Sequence, residues 1–148
     1  MAEGKLLGID HGIKRIGIAV CDALRFSARE LTIIQRTSKI EDFEQINLLA
    51  QEEDVVGFVI GLPLNEGSDL CSHSQADTVR LWVERFSKTT RLPIVLWDER
   101  LSSEGAKALA IRQHRNPFEP IDDLAARMIL QSYLDALHDG LISDAELI

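Results

Sequence analysis

The sequence predicts an α/β domain on a mixed five-stranded sheet. Three strands open as an antiparallel meander, and βα units with helices on the sheet faces follow. Three observations carry this. The apolar runs Lys5–Asp10 and Arg15–Cys21 are separated only by a short turn containing His11-Gly12, so they form a hairpin. The run Val55–Gly61 (VVGFVIG) is almost wholly apolar, as in a central strand covered on both faces. Between and after such runs the apolar spacing becomes helical.

Taken in order, KLLGID from Lys5 reads as a short buried strand ending in an acid, and RIGIAVC from Arg15 as a β-branched second strand. Glu30–Gln35 (ELTIIQ) reads as the third. From Ile40 to Glu53, Phe43, Ile46, Leu49 and Ala50 recur at helical spacing. After the Val55–Gly61 strand comes the loop Leu62–Ser68. A second helix carries the stripe Val79, Trp82, Val83 and Phe86, which reads as a packing face. Pro93–Trp97 is another buried strand, closed by Asp98-Glu99-Arg100. Ser102 or Ser103 is placed to cap a helix through about Ile111. Gln113–Pro120 is a polar, proline-punctuated loop, and Ile121–His138 is the longest helical pattern, with Gly140 as its stop.

The chain has 148 residues, which fits a single domain over 1–148 with an acidic tail at about 139–148. The net charge of −8 argues against bulk nucleic-acid binding. Half of that charge, however, lies in Asp135, Asp139, Asp144 and Glu146, after Tyr133, leaving room for a local basic face elsewhere. No apolar run approaches the ~20 residues of a membrane span, and the N-terminus lacks the pattern of a secretory signal. Cys21 and Cys71 form no framework spacing, so a reduced cytoplasmic setting is expected.

Acids stand at the ends of three elements: Asp10 on the first strand, Asp98 and Glu99 on the last, Asp122 and Asp123 opening the final helix. Strand ends of α/β sheets gather sites. Were the first and last strands neighbours, Asp10 and Glu99 would stand side by side, and a helix crossing them would add Asp122. Three converging carboxylates repel unless cations intervene, and oxygen-only ligands suit Mg²⁺ or Mn²⁺. Two such ions activate water and stabilise a leaving oxygen in phosphodiester hydrolysis. Each acid also has a plainer reading: Asp10 as a turn former, Asp98-Glu99-Arg100 as a solvated charge run, Asp122 as a helix cap. Asp122 shares the apolar face of Ala125, Ala126, Ile129, Leu130 and Tyr133. Asp123 is rotated from it by about 100° toward Arg127, and is expected in solvent.

Lys14 and Arg15 follow the first turn and are expected beside Asp10, where a phosphate substrate needs cations. Arg100, Lys107, Arg112 and Arg115 extend them into a basic rim, or else belong to a scattered solubilising surface. Asn65 and the glycines of the Gly61–Ser68 loop offer main-chain N–H groups to a phosphate, a feature shared by many plain turns. Cys71-Ser72-His73 has no second pair at metal-ligand spacing and is read as structural or surface. His114, between Arg112 and Arg115, is read as part of a solvated loop.

Four blocks occur in order: Leu7–Val20 (LGIDHGIKRIGIAV), Val59–Ser68 (VIGLPLNEGS), Trp97–Ser103 (WDERLSS) and Ile121–Leu134 (IDDLAARMILQSYL). Together they closely resemble the YqgF/RuvX family of pre-16S rRNA nucleases and Holliday-junction-resolvase-like proteins. The resemblance implies an RNase H-like fold and a cytoplasmic hydrolase that matures the 5′ end of 16S rRNA on the pre-ribosomal small subunit. It implies Asp10, Glu99 and Asp122 as catalytic metal ligands for Mg²⁺ or Mn²⁺, with Asp98 adjacent. Lys14 and Arg15 fall on the family's basic pair, and with Asn65 and Arg100 are expected to hold the substrate backbone. The loop after Asn65 is one residue shorter than the family pattern, and Arg112–Pro120 is poorer in Lys and Gly. Grip on RNA is therefore expected to lean on other surfaces. Two further readings stand beside this one: a resolvase cutting branched DNA, and a non-catalytic RNA-binding assembly factor. Whether the chain is a monomer or a homodimer does not follow from the sequence.

Overall fold

A computed structural model describes residues 4–63, 75–98 and 121–140. Their order is β1 (Lys5–His11), β2 (Arg15–Cys21), β3 (Ala28–Gln35), α1 (Lys39–Glu52), β4 (Val55–Leu62), α2 (Gln75–Ser87), β5 (Ile94–Asp98) and α3 (Asp122–His138). One five-stranded sheet runs β3-β2-β1-β4-β5. The first three strands pair antiparallel, while β4 pairs parallel with both β1 and β5. This is the expected meander followed by βα units. The helix expected between Ser102 or Ser103 and Ile111 lies outside the described residues.

Boundaries moved where pairing outweighs propensity. β3 starts at Ala28, ahead of the expected Glu30, because the ladder with β2 continues through Val20↔Arg29 and Cys21↔Ala28. The main chain of Ala28 also donates to Gln131 Oε1 at 2.8 Å. α1 begins at Lys39 because Ser38 caps it, its Oγ accepting from Glu41 N at 3.2 Å.

The strands alternate between two apolar faces. Leu7, Ile9, Ile16, Ile18, Phe58 and Ile60 meet Phe43 and Ile46 of α1 and Val79, Trp82 and Phe86 of α2. The α2 stripe is thus a packing face, as its spacing suggested. On the other side Leu6, Ala19, Val59 and Val95 meet Ala126, Ile129, Leu130 and Tyr133 of α3. Two glycines on this second face let α3 sit close. A Cβ at Gly8 would lie 2.8 Å from Leu130 Cβ, and one at Gly17 would overlap the Asp122 carbonyl. No helix among the described residues is long and apolar enough to cross a membrane.

The turn joining β1 to β2 is braced from below. Gly12 N donates to Arg15 O at 2.9 Å, and Arg36 N donates to Lys14 O at 3.0 Å. The Arg36 guanidinium reaches Gly12 O at 2.9 Å and Ile13 O at 3.3 Å. Asp42, 1% exposed on α1, holds that guanidinium at 3.4 Å and accepts from Thr37 N at 3.1 Å. A buried carboxylate is tolerated here because it has both a counter-charge and a main-chain donor.

His11 ends β1 on the α1/α2 face, 8% exposed, its ring 4.7 Å from that of Trp82. Burial, and next the nearby Arg36 charge, lower its pKa from 6.5 to about 4.

Two outcomes follow for stability. Gly17→Ala should cost about 3 kcal/mol and lower the melting temperature by roughly 10 °C, because a main-chain carbonyl cannot yield as a side chain can. Gly57→Ala, where the new Cβ meets Leu6 Cδ2 at 3.2 Å and Pro93 O at 3.3 Å without overlapping either, should cost less than half of that; equal losses would remove the special status of the Gly17 contact. His11 binds its proton more weakly folded than unfolded, so its contribution is present above pH 6.5 and lost as pH falls through about 4. Urea unfolding in EDTA should therefore show His11→Phe losing about 3 kcal/mol less than wild type between pH 7 and pH 4. Parallel pH profiles would rule out this titration.

Candidate active site

Asp10 lies one residue before the end of β1. It is half-buried and, by alternation with Leu6 and Gly8, on the α3 face. Its ladder partner on β2 is Gly17, and paired Cα atoms in an antiparallel ladder are about 4.5–5.5 Å apart. Gly17 is the residue on which α3 comes to rest: its missing Cβ would overlap the Asp122 carbonyl and lie 2.8 Å from Asp123 N. The acid of β1 is therefore one ladder step from the residue beneath the acids of α3. Asp122 also faces the hairpin turn, its Oδ1 being 3.5 Å from where a Gly12 Cβ would stand.

Arg15 opens β2 two residues before Gly17 and on the same face. Its Nε donates to Asp122 Oδ2 at 3.0 Å, with 35% and 19% of the two side chains exposed. The sequence pointed Arg15 at a phosphate; here it neutralises the helix acid. Once the helix acid rests above Gly17, residue 15 of the same strand face lies beside it. Lys14 stands exposed at the turn.

Glu99, Arg100 and Asn65 lie outside the described residues, as do Lys107, Arg112, Arg115, His114, Cys71 and His73. The end of β5 can still be placed. The condition that would have set Asp10 and Glu99 side by side, adjacent first and last strands, is not met: β4 runs between β1 and β5. Parallel entry of β4 beside β1 leaves only the far edge of β4 for β5, two strand spacings or about 10 Å from β1. The register, however, puts a glycine in that gap. Ile9 pairs with Ile60, and the next residue of β4, Gly61, pairs with Trp97. Gly61 shares the α3 face with Asp10 and Trp97, so no side chain of β4 rises between them. Trp97 is fixed by its ring contact with Tyr133 at 5.4 Å and by Nε1 donating to Ser132 Oγ at 3.1 Å. Asp98 pairs with Leu62 and alternates to the α1/α2 face with Leu96.

Asp123 is not in solvent as expected. It is 8% exposed, and its Oδ1 accepts from Leu124 N at 2.9 Å. Helical periodicity alone places one face of α3 against protein. In the first turn the backbone itself rests on Gly17, so the residues on both sides of that contact are enclosed. Among the described residues no three His, Cys, Asp or Glu side chains form a group spaced for a metal ion.

Residues 4–136 match the family model described as "RuvX: Holliday junction resolvase". The chain is 40% identical to a Rhodopseudomonas palustris protein over 140 residues, 92% of this chain and 86% of that one. It is 38% identical to a Thermoanaerobacter pseudethanolicus protein over 136 residues, 89% and 96% of the two chains. Both relatives carry the name "Putative pre-16S rRNA nuclease". Among solved structures, Thermus thermophilus RuvC bound to a Holliday junction superposes with a TM-score of 0.59 at 15% identity, covering 92% of this chain and 96% of that one. The fowlpox virus resolvase with junction DNA gives 0.55 at 11% identity, covering 90% and 98%. At such identities the likeness is one of fold, and it is the RNase H-like fold expected from the sequence. The match spans β1 through nearly all of α3, and the relatives agree with it over about nine-tenths of the chain: the chain belongs to the RuvX family.

Proposed function

We propose that this chain is a metal-dependent nuclease that hydrolyses RNA phosphodiester bonds, acting as a single domain in the cytoplasm on the 5′ end of the 16S rRNA precursor. The observation that supports the reading is that Asp10 pairs in the ladder with Gly17, the residue beneath Asp122, while Arg15 on the same strand face pairs with Asp122. The names of the curated relatives support the substrate.

Asp10 and Asp122, completed by Glu99, would hold Mg²⁺ or Mn²⁺. The donors fit, being hard carboxylate oxygens. The position fits as well: a guanidinium already sits 3.0 Å from Asp122, so this carboxylate faces a place that accepts positive charge. Asp98 faces away from Asp10 across the sheet and is left outside the ligand set. When bound, the ions supply Lewis acidity for the attacking water and the departing 3′ oxygen. The chain's own residues do the rest. Lys14 and Arg15 meet the phosphate from the hairpin side, with Arg15 exchanging Asp122 for phosphate as substrate arrives. Arg100 and Asn65 grip the flanking backbone. Water adds to phosphorus, the bond to the 3′ oxygen breaks, and the products carry a 5′-phosphate and a 3′-hydroxyl.

A resolvase reading has its own support, since the similar folds were solved with Holliday junctions. Equal amounts of 5′-extended 16S precursor and a four-way DNA junction, incubated with the chain and Mn²⁺, separate the two. Cleavage confined to the junction overturns the RNA reading. RNA binding without Mn²⁺-dependent turnover leaves an assembly factor.

Asp10→Asn should reduce precursor cleavage by more than about 100-fold, beyond the effect usual for losing an outer-sphere partner, with an unchanged unfolding curve. Activity near wild type removes Asp10 from the site. Arg15→Gln should tighten Mn²⁺ binding without RNA by roughly threefold to tenfold, read by Mn²⁺ electron paramagnetic resonance, because a competing cation is gone. Unchanged or weaker Mn²⁺ binding contradicts the exchange assigned to Arg15.

A further inference from the structure

Two cavities flank the hairpin turn on the side away from α3, and among the described residues of the site above Lys14 alone borders them, so that it stands between the cut phosphate and the next one. The first, about 560 Å³, is bordered by Lys14 and by Lys39 of α1. The second, about 430 Å³, is bordered by His11 and by Gln75 and Thr78 of α2. Among the described residues they share only Ile13 and Arg36. Arg36 is committed to Asp42 and to the turn carbonyls, so it forms a fixed wall. Ile13 stands on the crest between them, 84% exposed.

We propose that this pair of basins holds one nucleotide of an unpaired RNA strand next to the cut, phosphate toward Lys14 and Lys39 and base toward His11, Gln75 and Thr78, with Ile13 edging the base. The proposal rests on the RNA reading above and deepens it by naming the form of RNA. Several observations converge on it. Lys14 and Lys39 are exposed and form no ion pair among the described residues, so they give the first basin a net attraction for phosphate. The second basin has the size of a small-molecule pocket and the mixed character a base requires: the apolar Ile13 crest, a carboxamide and a hydroxyl. His11 borders it with the small part of its ring that is not covered by the core, 8% of the residue being exposed. An exposed aliphatic residue at a hairpin tip is also the kind of side chain that edges between bases. Finally, His11 directly follows Asp10, so a strand whose phosphate lies at Asp10 and Asp122 has only to cross the turn to reach the basins. A duplex cannot make this crossing, because its bases are engaged across the helix axis.

The test is fluorescence anisotropy with a labelled 12-nucleotide single-stranded RNA and the same sequence as a duplex, in EDTA so that nothing is cut. Thr78→Trp fills the second basin from an exposed helix position and should weaken single-strand binding roughly tenfold, the loss of one base contact, leaving duplex binding unchanged. Gln75→Ala, milder for the fold, should shift in the same direction. Lys39→Gln should flatten the dependence of log affinity on log salt by about 0.7. Wild-type affinity in both α2 variants, equal losses on single strand and duplex, or no binding of the single strand by wild type overturns the proposal. A chain that binds the strand and never cuts it removes the nuclease reading and keeps this one. A chain that cuts while the α2 variants bind normally removes this one alone.

Discussion

The first turn of α3 touches the sheet through main chain, at Gly17, and the separation of the candidate acids is fixed by that contact. Side chains can rotate around a misfit; a carbonyl against a strand cannot. Since Gly17 is also the ladder partner of Asp10, the same contact sets how far the β1 acid stands from Asp122. Gly8 extends the seat along the helix beneath Leu130 and Ala126, and the apolar contacts of Ile129, Leu130 and Tyr133 keep α3 pressed into it. The core on this face thus positions the candidate acids as well as stabilising the fold.

Charge around the turn is arranged locally, against the sign of the whole chain. The net charge is −8, yet Lys14, Arg15, Arg36 and Lys39 cluster at one end of the sheet. They are not equivalent. Arg36 is consumed by Asp42 and two carbonyls, Arg15 by Asp122, and the two lysines remain exposed. A fixed guanidinium suits bracing because its fork is planar and always charged, whereas a lysine suits a mobile phosphate contact. With a Debye length of about 8 Å at physiological salt, charges beyond that distance weigh little against this cluster.

The strands and the two-sided core were legible because β-branched runs and helical stripes report burial directly. Arg15–Cys21 matched residue for residue, and the α2 stripe was buried as its spacing implied. Asp10 and Asp122 were legible as element ends. What escaped depended on third parties. That β4 would separate β1 from β5 follows from the parallel crossover, which no local pattern encodes. The burial of Asp123 escapes helical periodicity, which takes no account of backbone seated on a glycine. The Arg15–Asp122 pair links residues 107 apart in sequence, and it becomes visible only once Gly17 is known to be the seat of the helix.

The brace under the β1–β2 turn reaches it through carbonyl oxygens, those of Gly12, Ile13 and Lys14. Main-chain carbonyls are the same whatever side chain is attached. The loop's conformation is thereby uncoupled from the identities of residues 13 and 14, which are free to drift in size and charge without loosening the scaffold beneath them. Such a turn lets a lineage exchange its surface side chains while Asp10 and Asp122 stay where they are.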